Sequence, residues 1–496
     1  MGSFFSKEEL AKFRSAQSLR FKSPVPTRMI SNGEFTPMPQ SELQKRFEAR
    51  LKDLADSLAK KQGLSRRQFL RTAAGMSAAF IAMNEVFGRS FVVSSAEAAD
   101  PQRAAERARR LARQFVFDDQ VHFLREGSKH TGFVGLRGYT AGHLNLQAPD
   151  PGGMENLMFK NFVKEVFMDS DTKIALLSSA PSDDAQNWFL TNEESAAARA
   201  AANKQAGSRR LLCHSVFTPG QPGWLDEMDR AIAELKPDSW KGYTTGDPQA
   251  PSKYPWRMDD EKLVYPAYEK MMKAGIQVVC VHKGLMPHDA EQKMPESLKH
   301  ADVSDIGKAA KDWPKLYFVV YHSGFRPLPH PTPEHSKRFE ETGRIDWVSD
   351  LAEIPEKFGV KNVGADLGAV FALTAVTNPR ISAGIVGQLV KGLGVQNVYW
   401  GTDSIWFGSP QWQIEAFRRL EIPRDLQKKF GWAPLGDATG SVKTAILGGN
   451  AARLYKVRQQ AAAGELDWTN DGFATLKAEY ERSGGVRSNR AYGYVA

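Results

Sequence analysis

Ten histidines are scattered along the 496 residues. Four of them, His122, His214, His282 and His322, stand at the last position of short apolar runs, as do Ser178, Asp366 and Asp403. The first of these runs closes with Asp118-Asp119-Gln120-Val121-His122. In an extended strand alternate side chains share a face, so Asp118, Gln120 and His122 are expected to point the same way. Two imidazoles and a carboxylate with one position left open make a suitable site for Zn²⁺ or a related divalent ion. Such an ion lowers the pKa of its water toward neutrality, and a further histidine can take or hold the proton.

These residues need a frame that brings run ends together. Eight runs can be counted: Phe115–His122, Lys173–Ser178, Arg210–His214, Trp240–Thr244, Ile276–His282, Leu316–His322, Asn362–Asp366 and Asn397–Asp403. Amphipathic helical stretches separate them, among them Trp224–Leu235, Leu263–Ala274 and Ile381–Leu393. Short buried runs alternating with helices predict parallel strands, and eight repeats predict a closed (β/α)8 TIM barrel rather than an open sheet. In that fold the carboxyl ends of the strands share one mouth, where catalytic groups sit. The connections after strands 1, 5, 6 and 8 are long and are expected to form a partly closed lid. Cys213 and Cys280 lie inside apolar runs and read as buried thiols, not as a disulfide framework.

With these motifs in place, the stretch from about Val116 to Tyr455 resembles the amidohydrolase-related branch that includes aminocarboxymuconate semialdehyde decarboxylase and related decarboxylases and lactonases. That branch carries H-x-H or E-x-H after strand 1, a His after strands 5 and 6, and an Asp after strand 8. It ends in a G-N-x-x-R-L-Y-like run, here Gly449-Asn450-Ala451-Ala452-Arg453-Leu454-Tyr455. The resemblance implies that His122, His282 and Asp403 are metal ligands and that His322 is the catalytic histidine. It implies a divalent ion, Zn²⁺ first, with Mn²⁺ or another ion as alternatives. The sequence departs at Gln120, where the branch has His or Glu. Three readings stay open: Gln120 coordinates through its oxygen, orients a metal-bound water, or marks a site that has lost its metal.

Other residues have candidate roles beside the site. Asp118 could hydrogen-bond a ligand histidine, His214 could touch substrate, and Asp366 could support a ligand or contact substrate. Lys283 and Arg326 could clamp a substrate carboxylate. Trp406 and Phe407 could wall an aromatic substrate. Lys241 sits early in its run, which argues against a lysine-bridged binuclear centre. His130, His143, His288, His300, His330 and His335 read as loop residues, and Asn450 as a helix cap.

The amino-terminal region reads differently. Residues 1–99 carry 16 Lys and Arg against 9 Asp and Glu, most of the formal net charge of +9, so the body is not expected to bind nucleic acid. Ser65-Arg66-Arg67-Gln68-Phe69-Leu70, an Ala-rich run from Thr72 to Phe87 and Ala96-Glu97-Ala98 follow the order of a twin-arginine export signal. The export machinery is then an expected partner and the periplasm the expected location. The apolar run is interrupted by Asn84 and Glu85, and no stable membrane span is expected. The preface of 64 residues is unusually long for such a leader. Its Leu43, Phe47, Leu51, Leu54 and Leu58 predict an amphipathic helix that packs on the barrel or a neighbouring copy, binds a chaperone, or is discarded.

The expected organisation is an extension over 1–64, a signal-like segment over 65–99, a barrel over 110–456 and a tail over 457–496. The leading functional expectation is a hydrolase acting on an amide, lactone or other carbonyl-centred bond of a small substrate. The alternatives are a non-oxidative decarboxylase of a small carboxylic acid and a non-catalytic binding barrel.

Overall fold

A computed structural model of the chain describes residues 23–29, 38–127, 154–328, 330–457 and 467–483, with Ser6, Ser31 and Phe133 besides. His130 and His143 lie outside the described residues. Eight parallel strands follow one another around a sheet: β1 (Phe117–Val121), β2 (Ile174–Leu177), β3 (Leu211–Val216), β4 (Ser239–Tyr243), β5 (Val278–His282), β6 (Tyr317–Tyr321), β7 (Val363–Asp366) and β8 (Val398–Tyr399). Backbone bonds from Asp119 N to Trp400 O (2.9 Å) and from Asp403 N to Gln120 O (2.9 Å) join the last strand region to the first. The result is the expected TIM barrel.

The helices follow from their sequence patterns. In Asn192–Ala206, Thr191 caps the start with Glu194 answering it, and Gly207 in a left-handed conformation ends it. Tyr265–Ala274 ends at Gly275 in the same way. Pro379–Leu393 starts with Pro at its first turn and buries most of its length against the sheet. Asn450 is no helix cap: its amide donates to the carbonyls of Val395 and Val398, fixing the approach to β8.

Above the mouth, Met286–Pro287 and Pro327–Leu328 pair as a two-stranded parallel sheet, joining the connections after β5 and β6. Gly284 leads into it with φ +83°, and a side chain there would strike the Phe325 carbonyl.

The amino-terminal region forms helices on the flank of the barrel: α1 (Glu42–Lys61), α2 (Ala73–Phe87) and α3 (Pro101–Leu111). Ser41 and Gln44 make a reciprocal cap at the start of α1, and Phe47, Leu51, Ala55 and Ala59 turn its apolar face inward. α2 is almost wholly buried, including Met76, Phe80 and Met83. No helix among the described residues is long and apolar enough to cross a membrane.

Candidate active site

His122, His282, His322 and Asp403 meet with Gln120 at the carboxyl ends of β1, β5, β6 and β8. His122 Nε2 lies 3.0 Å from Asp403 Oδ1. The Gln120 side-chain nitrogen lies 3.0 Å from Asp403 Oδ1 and 3.4 Å from Nε2 of both His122 and His322. His322 Nε2 lies 2.9 Å from His282 Nδ1. All five side chains line one narrow cavity of about 60 Å³ with Phe189, Tyr243, Pro248, Gln249, Leu285, Leu328 and Trp406.

The proton positions follow from the partners. His322 Nδ1 faces the Gly368 carbonyl at 3.0 Å, and a carbonyl can only accept, so Nδ1 carries the hydrogen. Burial holds His322 at about 4, against the pull of Asp403, so the ring is neutral near pH 7 and its Nε2 is bare. His282 Nδ1 must then donate to it. Burial, and after it His322, also push His282 well below the usual histidine range. His282 is thereby left with a free lone pair on Nε2, its ring held flat against Tyr243 at 4.9 Å.

The donor set can be tested against a metal ion. The Gln120 amide, His122 Nε2 and Asp403 Oδ1 form a triangle with sides of 3.0–3.4 Å, close to the ~3.4 Å between neighbouring donors in a tetrahedron of ~2.0–2.1 Å bonds. Gln120 Oε1 and Asp403 Oδ2 are buried without hydrogen-bond partners. Reversing the amide exchanges its oxygen and nitrogen without moving the chain and presents the oxygen to the same corner. These three residues fit a small divalent ion. The amide is indispensable to the set: among the described residues, no three His, Cys, Asp or Glu side chains form such a group.

Backbone and buried charge hold the cluster. His322, Ser323 and Asp403 have φ values of 62°, 50° and 57°, a region that side chains other than Gly, Asn and Asp seldom occupy. Asp366 accepts the backbone N–H groups of His322 (2.8 Å) and Gly368 (2.9 Å), so it positions His322 instead of reaching substrate. Asp118 accepts from the backbone and hydroxyl of Thr402, beside Asp403. It pins the β8 side of the site and supports no ligand histidine. Only glycine fits at 368 and 401, where a Cβ would collide with Gln120 Oε1 and Asp366 Oδ2.

Several sequence expectations are corrected. β3 runs on to Val216, so His214 lies inside the barrel. It bonds Ser239 and the Tyr321 hydroxyl, not substrate. Lys283 is fully buried, paired with Asp305 at 2.8 Å and donating to the His300 carbonyl. Arg326 pairs with Glu291 and packs on Trp347. Neither cation lines the cavity. Trp406 does line it, 5.8 Å from the His122 ring and stacked on Phe133 at 5.1 Å, while Phe407 is buried.

Asp119 was passed over because strict alternation turns it away from Gln120. The β1–β2 register shifts between Asp118 and Val121, and its carboxyl approaches Asp366. Burial and that neighbour push Asp119 well above the carboxylate range. Lys241, held by burial at about 8, lies 3.4 Å above the Tyr321 ring, beneath the cluster. Phe189, Tyr243, Leu285 and Leu328 were also missed; ordinary apolar residues give no local signal that they line a cavity.

The fold is a TIM barrel with an imidazole–carboxylate–amide cluster at its mouth. The sequence profile of the amidohydrolase family matches residues 177–457. The chain belongs to that family. No curated protein matches it. Solved structures with a similar fold include an uncharacterised TIM-barrel protein from Bordetella bronchiseptica (14% identity, 69% of this chain and 98% of that one, TM-score 0.43). They also include 2,6-dihydroxybenzoate decarboxylase from Rhizobium (13%, 70% and 99%, 0.38) and 5-carboxyvanillate decarboxylase from Sphingomonas paucimobilis (15%, 70% and 99%, 0.37).

Proposed function

We propose that this chain is a metal-dependent enzyme that removes carbon dioxide, without oxidation, from a small aromatic carboxylic acid. The observation that carries this is the charge and lining of the cavity. Asp403 is the single carboxylate in the donor set, beside a neutral amide and the His122 imidazole, and Phe189, Tyr243 and Trp406 supply aromatic walls. A divalent ion held by one carboxylate keeps net positive charge, which favours an anionic substrate. Lys283 and Arg326 are committed to Asp305 and Glu291, so neither offers a rival anchor for a carboxylate. The narrow cavity and flat walls suit a single ring.

When bound, the ion supplies the charge that anchors the substrate's carboxylate and draws electron density from it. Trp406 and Phe189, whose rings meet at 5.4 Å, hold the substrate ring from one side. As the carbon–carboxyl bond breaks, its electron pair stays on the ring carbon, which takes a proton while carbon dioxide leaves. We assign the relay of that proton to the bare Nε2 of His322, which takes it from solvent, passes it to the ring carbon and returns to the neutral state. Hydrolysis of a lactone or ester is the second reading. The neutral state of His282 and His322 favours it, because either ring can accept a proton from water.

The test is to load the purified protein separately with Zn²⁺ and Mn²⁺ and offer hydroxylated and alkoxylated benzoic acids beside lactones, esters and amides. Carbon dioxide release with loss of the carboxyl group supports the first reading. Cleavage of lactones, esters or amides without carbon dioxide replaces it with the second. No turnover of any class, with tight binding of aromatic acids, would leave a binding barrel.

A further inference from the structure

The stretch that resembles an export signal is built into the barrel's flank. α2, its apolar run, buries Ala74, Met76, Ser77, Ala78, Ala79, Phe80, Ala82 and Met83. Gly75 lies so close to the turn at Phe69–Leu70 that a Cβ would strike the Phe69 carbonyl, so the twin-arginine-like turn and the helix are packed as one piece. Beyond α2, the chain pairs with the end of barrel helix Gln411–Arg419. Val92 N donates to Arg419 O (2.7 Å) and Glu421 N to Ser90 O (2.8 Å).

The candidate cleavage motif is also held in place. Ala96, Glu97 and Ala98 lie in a short helix, Ser95–Ala99. The Gln62 amide of the following turn of α1 donates to the carbonyls of both Ala98 and Ala99, flanking the bond that a peptidase would cut. The Glu97 carboxylate accepts from Arg419 (2.5 and 3.2 Å) and from the Ser77 hydroxyl (2.7 Å). The Arg419 side chain is only 2% exposed. Arg107 on α3 pairs with Glu415, and Glu415 with Arg418, on the same barrel helix. That helix reaches the site: Gln413 donates to the carbonyl of Thr402, the residue before Asp403.

We propose that residues 41–98 are a permanent clamp on the barrel, retained in the working protein, and that the Ala98–Ala99 bond is not a processing site of the folded chain. Removing them would strip buried Arg419 of the carboxylate that accepts two of its hydrogen bonds, leaving it only Glu415 at 3.7 Å, a destabilising change for a buried charge. It would also bare the apolar surface now covered by α1 and α2. A protease needs extended backbone, and this motif offers helix with both flanking carbonyls occupied.

The experiment is to express the full chain in a bacterium with a working twin-arginine pathway and to measure the intact mass of the soluble protein in each compartment. The expected mass includes residues 41–98 wherever the protein is found. A soluble, folded species beginning at Ala99 would overturn the proposal. Glu97→Gln supplies a second readout that does not depend on a truncated chain. It keeps the side-chain shape and should lower the Tm of the purified protein by several degrees. An unchanged Tm would show that Glu97 plays no part in the working fold and would equally overturn the clamp.

Discussion

Gln120 is where this chain departs from the branch it resembles, and the structure gives that position a geometry. The amide occupies one corner of a triangle completed by His122 and Asp403, so its oxygen is the expected donor once reversed. Imidazole is a better donor than a neutral amide for zinc-like ions. Gln120→His should therefore raise the metal retained after dialysis, read by elemental analysis; no gain would place position 120 outside the coordinating set. Asp403 and His322 are expected to separate. Asp403→Asn removes the anionic ligand, and metal content should fall together with activity. His322→Asn should keep most of the metal while turnover drops by roughly 10²–10⁴. Loss of metal from both variants alike would make His322 a ligand. That these side chains meet at one mouth was legible in the sequence, because each stands near the end of a strand run. The hydrogen-bond chain from Gly368 through His322 to His282 was not, since it depends on two rings from different strands meeting at 2.9 Å.

Among the elements, strands and helices with clear punctuation were read nearly to the residue. β5 and β6 end at or beside their histidines, and the stripe of α1 holds at Phe47 and Leu51, with Leu54 and Leu58 half-buried, while Leu43 faces outward. Errors arose where periodicity gave no warning. The run before His214 continues through Ser215 and Val216, which carried the histidine inward. The register of β1 against β2 shifts between Asp118 and Val121, which simple alternation does not foresee. The two-residue lid strands are too short to leave a pattern. The role of α1 can be measured directly. Phe47 is 1% exposed and packs edge-on to Phe87 of α2 at 6.2 Å. Phe47→Ala should cost about 3–5 kcal/mol in urea unfolding, the usual loss for a buried phenylalanine. A change under ~0.5 kcal/mol, ordinary for a surface site, would mean that the helix is not seated on the barrel in solution.

At the scale of the whole molecule, the junction between the amino-terminal helices and the barrel is a buried charge network, and it sets an acid limit. Burial alone would lift Glu415, but Arg418, Arg107 and Arg419 together hold it at about 2, against an ordinary value of 4.5. Its folded pKa lies below its unfolded one. Its stabilisation is therefore complete above about pH 4.5 and is lost as pH falls toward 2, by about 3 kcal/mol in all. Glu415→Gln should be less stable at neutral pH yet show a flatter decline through that window in pH-dependent unfolding. An unaltered slope would assign the acid sensitivity elsewhere. The two thiols carry a different consequence. Cys213 and Cys280 are buried on β3 and β5, and burial pushes both up to about 12, so almost no thiolate is present near neutrality. Maleimides should leave the native protein unlabelled, as mass spectrometry would show. A cysteine placed at Val92, 60% exposed on the strand joining the helices to the barrel, would then be the one reactive handle among the described residues. A fluorophore or spin label there would report, in a living extract as well as in a cuvette, when that strap lets go.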